Sequence, residues 1–267
     1  MTDQELVDAL DDVWQSIADM GAGLTETEWK TETECPGWSV QDNVAHLIGT
    51  ESVIMGRPAP DQAPPDLPHI KNDAGRRNEV WVDSRRDRSG TEVLADFDEI
   101  TAERIRTLRD TDDAGFGAES WTPVGPATVR DLLPFRVFDS WAHEQDIRRA
   151  IGRPDHLTGP GADLSLGRIT DALPYVVGKK VQPPDGTTVV FNRDDKTTAI
   201  TVEGGRARQL DQPPDDPTAT LTMATDTLTR LALGRGNPTQ ILQSGAVQIE
   251  GDDQLGTKLV NEMNFMF

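Results

Sequence analysis

The sequence has 267 residues, 36% of them hydrophobic and 27% charged, which allows one large domain or two of ordinary size and argues against wholesale disorder. Its formal net charge of −20 and pI of about 4.5 argue against nucleic acids and anionic membranes as partners, because such a chain repels phosphate groups. The acidic start, the lack of a long apolar stretch and the single cysteine, Cys35, predict a cytoplasmic protein without a signal peptide or a membrane span.

The first half of the chain is predicted to be helical, because apolar residues recur there at helical spacing. Four main helices are expected, over residues 3–20, 39–55, 91–109 and 134–151. Pro134 is tolerated only near the first turn of a helix, so residues 128–133 are predicted to form a separate short turn. The proline-rich segment 57–68 is predicted to be an exposed loop. Four helices with one proline-rich crossover indicate a four-helix bundle.

The composition changes after residue 155, where runs rich in β-branched residues begin. Strands are predicted over residues 187–191, 197–202, 218–223 and 246–250, and helices over 164–177, 226–233 and 253–263. The predicted fold is therefore an N-terminal all-α four-helix bundle followed by a smaller α+β domain with a mainly antiparallel sheet. The predicted domains are residues 1–155 and 156–267, with a linker beginning at Gly152.

Asp139 and His143 are the first candidates for a metal site. They lie four residues apart, so both side chains point from one face of the last helix of the bundle, and Asp146 lies one turn further along. Such a pair can supply two ligands to one metal, with Asp146 orienting the imidazole from behind. The same spacing also fits an ordinary intrahelical hydrogen bond or ion pair on a solvated face.

His46 is the natural third ligand. It lies off the apolar stripe of its helix, which fits either a surface position or a polar pocket at one end of the bundle. Two histidines and one carboxylate form a common zinc set that leaves one coordination position open for water or substrate. His69 in the proline-rich loop and His156 in the linker are expected to be solvated.

Other catalytic chemistry finds less support in the sequence. There is no Gly-x-Ser-x-Gly elbow, no phosphate-binding Gly-x-x-x-x-Gly-Lys loop and no Gly-x-Gly-x-x-Gly after a strand. Cys35 fits either a nucleophile or a small structural thiol, and the second role is favoured because no base is near it in sequence.

Several motifs resemble those of the mycothiol-dependent maleylpyruvate isomerase family of actinobacteria. Two are N-terminal, Cys35-Pro-Gly-Trp-Ser-Val-Gln-Asp-Asn-Val-Ala-His-Leu and Arg136-Val-Phe-Asp-Ser-Trp-Ala-His-Glu-Gln-Asp-Ile. Three are C-terminal, at residues 219–228, 233–238 and 245–252. The resemblance covers nearly the whole chain. It implies a DinB-like metal-binding bundle followed by a sterol-carrier-protein-type domain.

The resemblance implies a divalent metal, most simply zinc, at His46, Asp139 and His143. The family pattern has glutamate where this chain has Asp139, which is one methylene shorter and would bring the metal closer to its helix. The implied cofactor is mycothiol, an external thiol whose metal-bound thiolate adds to the cis double bond of an α-keto diacid such as maleylpyruvate and is eliminated after bond rotation. Arg235, and Arg230 second, are candidates for holding substrate carboxylates, and both also fit plain surface arginines.

Three functions follow from these features. The first is a thiol-dependent metalloenzyme, either an isomerase of a small α-keto diacid or a mycothiol S-transferase acting on electrophiles. The second is a non-catalytic carrier of a lipid or another small ligand, indicated by the sterol-carrier resemblance. The third is a scaffold that has kept the fold without the chemistry, indicated by the aspartate at position 139. The sequence leaves the substrate, the choice of thiol and the oligomeric state open.

Overall fold

A helical unit and a mixed α/β unit make up the chain in a computed structural model, which describes residues 1–64 and 66–266. The two units are Met1–Ser165 and Leu166–Phe267. The first contains α1 (Asp3–Ala22), α2 (Glu26–Trp29), α3 (Val40–Ile54), α4 (Asp73–Asp83), α5 (Gly90–Arg109), α6 (Asp113–Phe116), β1 (Glu119–Thr122), β2 (Gly125–Thr128) and α7 (Val129–Ala150). Helix α8 (Pro160–Tyr175) contains the division between the units.

Four long helices form the bundle that the sequence predicts. Helix α1 packs against α5 and α7, and α3 packs against the same two helices. Apolar side chains such as Leu10, Leu47, Phe97 and Val137 are fully buried and supply the core, as the helical periodicity indicates. Each long helix begins with a capping box, in which a serine or threonine and an acidic residue three positions later bond to each other's backbone N–H groups.

The start of α7 corrects a prediction. The helix begins at Val129, and Pro134 lies inside it, so the separate turn predicted over residues 128–133 is wrong. Thr128 caps the helix and exchanges bonds with Asp131, and this capping box fixes the start one turn before the proline. Helix α4 and the hairpin formed by β1 and β2 were not predicted.

The second unit is built on one five-stranded sheet. It contains a π-helical turn (Val176–Val181), β3 (Thr188–Arg193), β4 (Lys196–Glu203), β5 (Arg206–Leu210), β6 (Ala219–Met223), α9 (Thr225–Ala232), α10 (Pro238–Gln243), β7 (Val247–Gly251) and α11 (Asp253–Asn261). The strand order is β5-β4-β3-β6-β7, and only the β3–β6 pair is parallel. The mainly antiparallel sheet is confirmed, while β5 and α10 were not predicted.

Helix α8 also bears on the predicted domain boundary. The compact units divide inside this helix, whereas the composition places the boundary at residue 155, in the loop before it. The boundary of the functional domains therefore stays a prediction. Among the described residues, no helix combines the length and the apolar character that crossing a membrane requires.

Candidate metal centre

His46, Asp139 and His143 meet where α3 packs against α7. Nε2 of His46 lies 3.3 Å from Oδ2 of Asp139, and Nε2 of His143 lies 3.7 Å from Oδ1 of the same carboxylate. One ligand atom from each residue lies within 4.8 Å of the other two. Both imidazoles are almost fully buried, whereas the Asp139 side chain is 28% exposed. The shorter aspartate therefore reaches both histidines, and its accessible side is open to a small ligand.

Asn43 selects the tautomer of a neutral His143 ring. The Asn43 amide nitrogen donates to the backbone carbonyl of Ser39 at 2.8 Å, which orients the amide and turns its oxygen toward His143. That oxygen lies 2.7 Å from Nδ1 of His143 and accepts its N–H. A neutral imidazole with the proton on Nδ1 leaves the lone pair on Nε2 directed at Asp139 and His46. This is the arrangement that a metal-binding histidine requires.

Asp146 lies behind His143, as predicted, but it is not the nearest partner of the imidazole. Its Oδ2 lies 3.5 Å from Nδ1 of His143, beyond a good hydrogen bond, while its Oδ1 accepts from Arg149 at 2.8 Å. Asn43 holds the imidazole instead. A second cluster of possible ligands combines Asp146 with Cys35 and His143, and the His143 nitrogen that faces Asp146 is Nδ1, which is already bonded to Asn43.

His46 is held neutral by its surroundings. Burial lowers the pKa of its imidazole and outweighs the opposing attraction of Asp139. Its Nδ1 atom is buried, and no described residue bonds to it. The Trp38 ring covers both histidines, with centroids 4.9 Å from His46 and 5.7 Å from His143. An indole face at this position excludes water from one side of the cluster.

Asp139 carries a negative charge under all ordinary conditions. Desolvation raises the pKa of this carboxyl, but the hydrogen bond with His46 and the charge of the Arg136 guanidinium outweigh it and hold the pKa well below its usual range. Nη1 of Arg136 donates to Oδ2 of Asp139 at 2.7 Å, and Nε of Arg136 donates to Glu51 at 2.6 Å. Arg104 reaches the other Glu51 oxygen at 3.3 Å. The carboxylate is thus backed by a buried chain of alternating charges.

These residues fit a divalent metal such as zinc. Two neutral imidazoles and one carboxylate are a recurrent zinc set, and the lone pair of His143 is already oriented toward the carboxylate. The hydrogen bond to the far nitrogen of His143 is the supporting contact that such ligands usually have. For Nε2 of His46 to ligate a metal, the neutral ring would carry its proton on Nδ1, which is buried and to which no described residue bonds.

His69 is not the solvated loop residue that was expected. Its Nε2 lies 2.9 Å from the buried carboxylate of Glu79, which also accepts from the Trp38 indole at 3.1 Å. A Cβ at Gly37 would lie 2.2 Å from the His69 ring, so the Pro36-Gly37 turn needs glycine both for this approach and for its φ of 78°. This packing holds the Trp38 ring against the two histidines.

His156 is also bonded rather than solvated. Its Nδ1 lies 2.8 Å from the buried Glu144 carboxylate on α7, and its Nε2 lies 3.1 Å from Asp12 on α1. Hydrogen bonding to Glu144 raises the pKa of His156. Its φ of 60° is unusual for a non-glycine residue and places the ring between the two helices. The sequence around His156 is that of a linker, and nothing in it indicated a contact with Glu144 or Asp12.

The two arginines predicted to hold substrate carboxylates lie in the second unit. Arg230 is in α9, and Arg235 follows that helix and donates to the carbonyl of Leu233 at 3.1 Å. Their proposed role in binding substrate carboxylates stays a prediction. Sequence reasoning also missed Asn43, Arg136 and Glu51, although Arg136 lies one turn before Asp139 on the same helical face and that spacing was a usable signal.

The fold and the site define a class: a helical bundle with a His–Asp–His cluster that could hold a metal, followed by an α+β unit. Residues 10–148 match the family model of the mycothiol maleylpyruvate isomerase N-terminal domain, and residues 172–264 match that of the SCP-2 sterol transfer family. The first match covers more than half of the 267 residues, so the chain belongs to the mycothiol maleylpyruvate isomerase N-terminal domain family. The family suspected from the motifs is confirmed.

Solved structures support the same fold. The crystal structures of the mycothiol-dependent maleylpyruvate isomerase and of a histidine-to-alanine variant of it both match with a TM-score of 0.58. The identities are 13% and 14%, and each match covers 94% of this chain and 93% of the other. At this identity the likeness shows the fold alone. Among curated protein sequences, none matches the chain.

Proposed function

We propose that this chain is a metal-dependent isomerase that uses mycothiol to convert a cis α-keto diacid of the maleylpyruvate kind into its trans isomer. The observation that carries the proposal is the convergence of His46, Asp139 and His143, with the His143 lone pair directed into the cluster. When bound, a divalent metal such as zinc lowers the pKa of a thiol that binds it, so that the thiolate is available at neutral pH.

The protein's own groups prepare the site for such a thiol. Asn43 keeps the proton of His143 on Nδ1, and Arg136 holds one oxygen of Asp139. The Trp38 ring shields one side of the histidines from water, which strengthens electrostatic interactions at the cluster. The exposed side of Asp139 leaves an approach for small molecules. Arg235, with Arg230 second, stays the proposed group for substrate carboxylates, because a guanidinium binds carboxylates with two parallel hydrogen bonds.

An activity assay tests the proposal. Zinc-loaded protein is mixed with mycothiol and maleylpyruvate, and the cis and trans isomers are separated by chromatography. We expect isomerisation that needs both metal and thiol, that is lost in His143→Ala and that persists in His156→Ala, whose side chain bonds outside the ligand cluster. Thiol-dependent labelling of an electrophile without isomerisation would instead identify an S-transferase. A zinc-loaded protein with no thiol-dependent reaction of either kind would contradict the proposal.

Ligand carriage is a second candidate function, favoured by the match of residues 172–264 to the SCP-2 sterol transfer family. It predicts a lipid or another small apolar molecule that stays bound through purification. Native mass spectrometry of the full chain measures this directly. A mass equal to that of the bare polypeptide, or of the polypeptide with metal only, would count against carriage.

A further inference from the structure

Arg136 is the buried cation closest to the ligand cluster. The residue is only 5% exposed, and it bonds to Asp139 on its own helix and to Glu51 on α3. Glu51 is 1% exposed and also faces Arg104 of α5. A chain of four charges therefore connects three helices of the bundle and ends at a proposed metal ligand.

The four charges of this buried network cancel. Asp139 and Glu51 contribute two negative charges, and Arg136 and Arg104 contribute two positive ones. His46 and His143 are neutral in the tautomers that ligate a metal. A divalent ion bound here would therefore give the site a net charge close to that of the ion itself. Without Arg136, the Asp139 carboxylate would offset part of that charge.

Stability alone does not explain the arrangement. Replacing a buried ion pair by apolar residues is often neutral or stabilising, because desolvation of the charges is costly. The Nη2 atom of Arg136 is buried, and none of the described residues bonds to it, whereas buried donors are nearly always paired. The network therefore keeps an unpaired donor and a full charge beside the ligand cluster.

We infer that Arg136 is a positioning residue that sets the charge of the metal site, by engaging one oxygen of Asp139 and leaving the other to ligate. The inference rests on the proposed function, in that the cluster must hold a metal. Because Arg136 offsets the charge of Asp139, the bound ion retains a strong attraction for an anionic fourth ligand, such as the thiolate of a small thiol. The positive charge of Arg136 also repels the metal, so the site binds the metal less tightly than it would without this arginine.

The test compares zinc affinities of full-length variants by competition with a coloured chelator at one pH. Arg136→Gln removes a positive charge and keeps a hydrogen-bonding group, so we expect zinc to bind about tenfold more tightly. Glu51→Gln removes the charge that balances Arg136, so we expect zinc to bind about tenfold more weakly. Arg136→Lys keeps the charge and is expected to bind zinc like the parent protein.

Opposite changes in zinc affinity for Arg136→Gln and Glu51→Gln separate this role from a structural one. If Arg136 and Glu51 only supported the fold, both substitutions would loosen the ligands and weaken zinc binding together, and that result would overturn the inference. Arg148→Gln is the matched control, because it removes an arginine from the same helix whose partners, Glu144 and Ser16, lie outside the cluster. If Arg136→Gln does not fold, Arg104→Gln removes a cation from the same network and is expected to tighten zinc binding as well. A parent protein that binds no zinc would refute the proposed function itself, and this outcome is distinct from the others.

Discussion

At the scale of single residues, the hydrogen bond from His143 to Asn43 decides whether the cluster can bind a metal. The imidazole has two nitrogens, and only the one without a proton can ligate. The 2.7 Å contact commits the proton to Nδ1, and the bond from Asn43 to Ser39 prevents the amide from turning over. The tautomer is thus set by the backbone at the start of α3, well away from the metal position.

Replacing Asn43 by leucine is expected to weaken zinc binding by about 10- to 100-fold, the usual effect of losing a partner behind a ligand. Leucine has a similar size but leaves Nδ1 of His143 without its acceptor. Thr33→Val is the control, because it removes another bond of the same amide and spares the one to His143. Both affinities are measured by chelator competition. Equal zinc affinity in Asn43→Leu and Thr33→Val would show that the tautomer is set by something else.

The sequence identifies the ligands more readily than their supports. The spacing of four on one helix indicates Asp139 and His143 as proposed ligands, and the resemblance to the family strengthens the choice of His46 as the third. Asn43 lies in the same motif as His46, but its partner is on α7, 100 residues away. Helical periodicity carries no information about which faces of two distant helices meet, so this contact was out of reach.

At the scale of elements, the capping boxes explain why the helix bounds were largely predictable. A cap such as Ser39 with Asp42 is a local signal, readable from four consecutive residues. The same reasoning applied to Thr128 and Asp131 would have placed the start of α7 correctly. Pro134 misled the prediction because the capping box and the packing of α7 against α1 and α3 outweigh the lost hydrogen bond of a single proline.

Close packing between α3 and α4 depends on Gly49. A Cβ at this position would lie 2.4 Å from the Trp81 side chain, so we expect Gly49→Ala to lower the free energy of unfolding by about 1–3 kcal/mol, a typical cost of overpacking. Gly167 in α8 is the matched control, since a Cβ there meets nothing within 4 Å. Gly167→Ala is expected to stabilise by up to about 1 kcal/mol through helix propensity. Denaturant titrations measure both, and equal effects would contradict the packing argument.

The His156 bridge between α1 and α7 predicts a pH dependence of stability. Pairing with Glu144 and Asp12 raises the pKa of His156 above the ordinary value of 6.5, so the stabilisation is complete below that pH and is lost as the pH rises through the raised value. A charge-assisted bond of this kind contributes about 1.5–3 kcal/mol. We therefore expect the parent protein to lose stability relative to His156→Gln as the pH rises from below 6.5 through the raised pKa of His156. Parallel stability curves for the two proteins over this range would contradict it.

At the scale of the whole molecule, the two units differ in their content of tryptophan, which is a fluorescent probe of unfolding. All six tryptophans lie in the first unit, at positions 14, 29, 38, 81, 121 and 141. Tryptophan fluorescence therefore follows the unfolding of the first unit alone. The composition also predicted the division into a helical half and a mixed half, because β-branched runs begin only after residue 155. The parallel pairing of β3 with β6 was not predictable, since it joins strands that are distant in sequence.

Zinc is expected to stabilise the first unit against unfolding. A ligand that binds only the folded state adds about 2.7 kcal/mol at a free concentration 100 times its dissociation constant. The fluorescence transition should therefore move to higher denaturant when zinc is added, and the shift should vanish in His143→Ala. A fluorescence transition that zinc leaves unchanged would argue against a metal site in this unit.

Metal content tests the central claim most directly. The chain has four histidines, and the structure assigns two of them to the cluster and two to bonds elsewhere. Elemental analysis of untagged protein, purified without chelators and after zinc is added back, should find one zinc per chain in the parent, in His69→Ala and in His156→Ala. The His46→Ala and His143→Ala proteins should have lost it. A parent protein without metal, or variants that all retain it equally, would contradict the account.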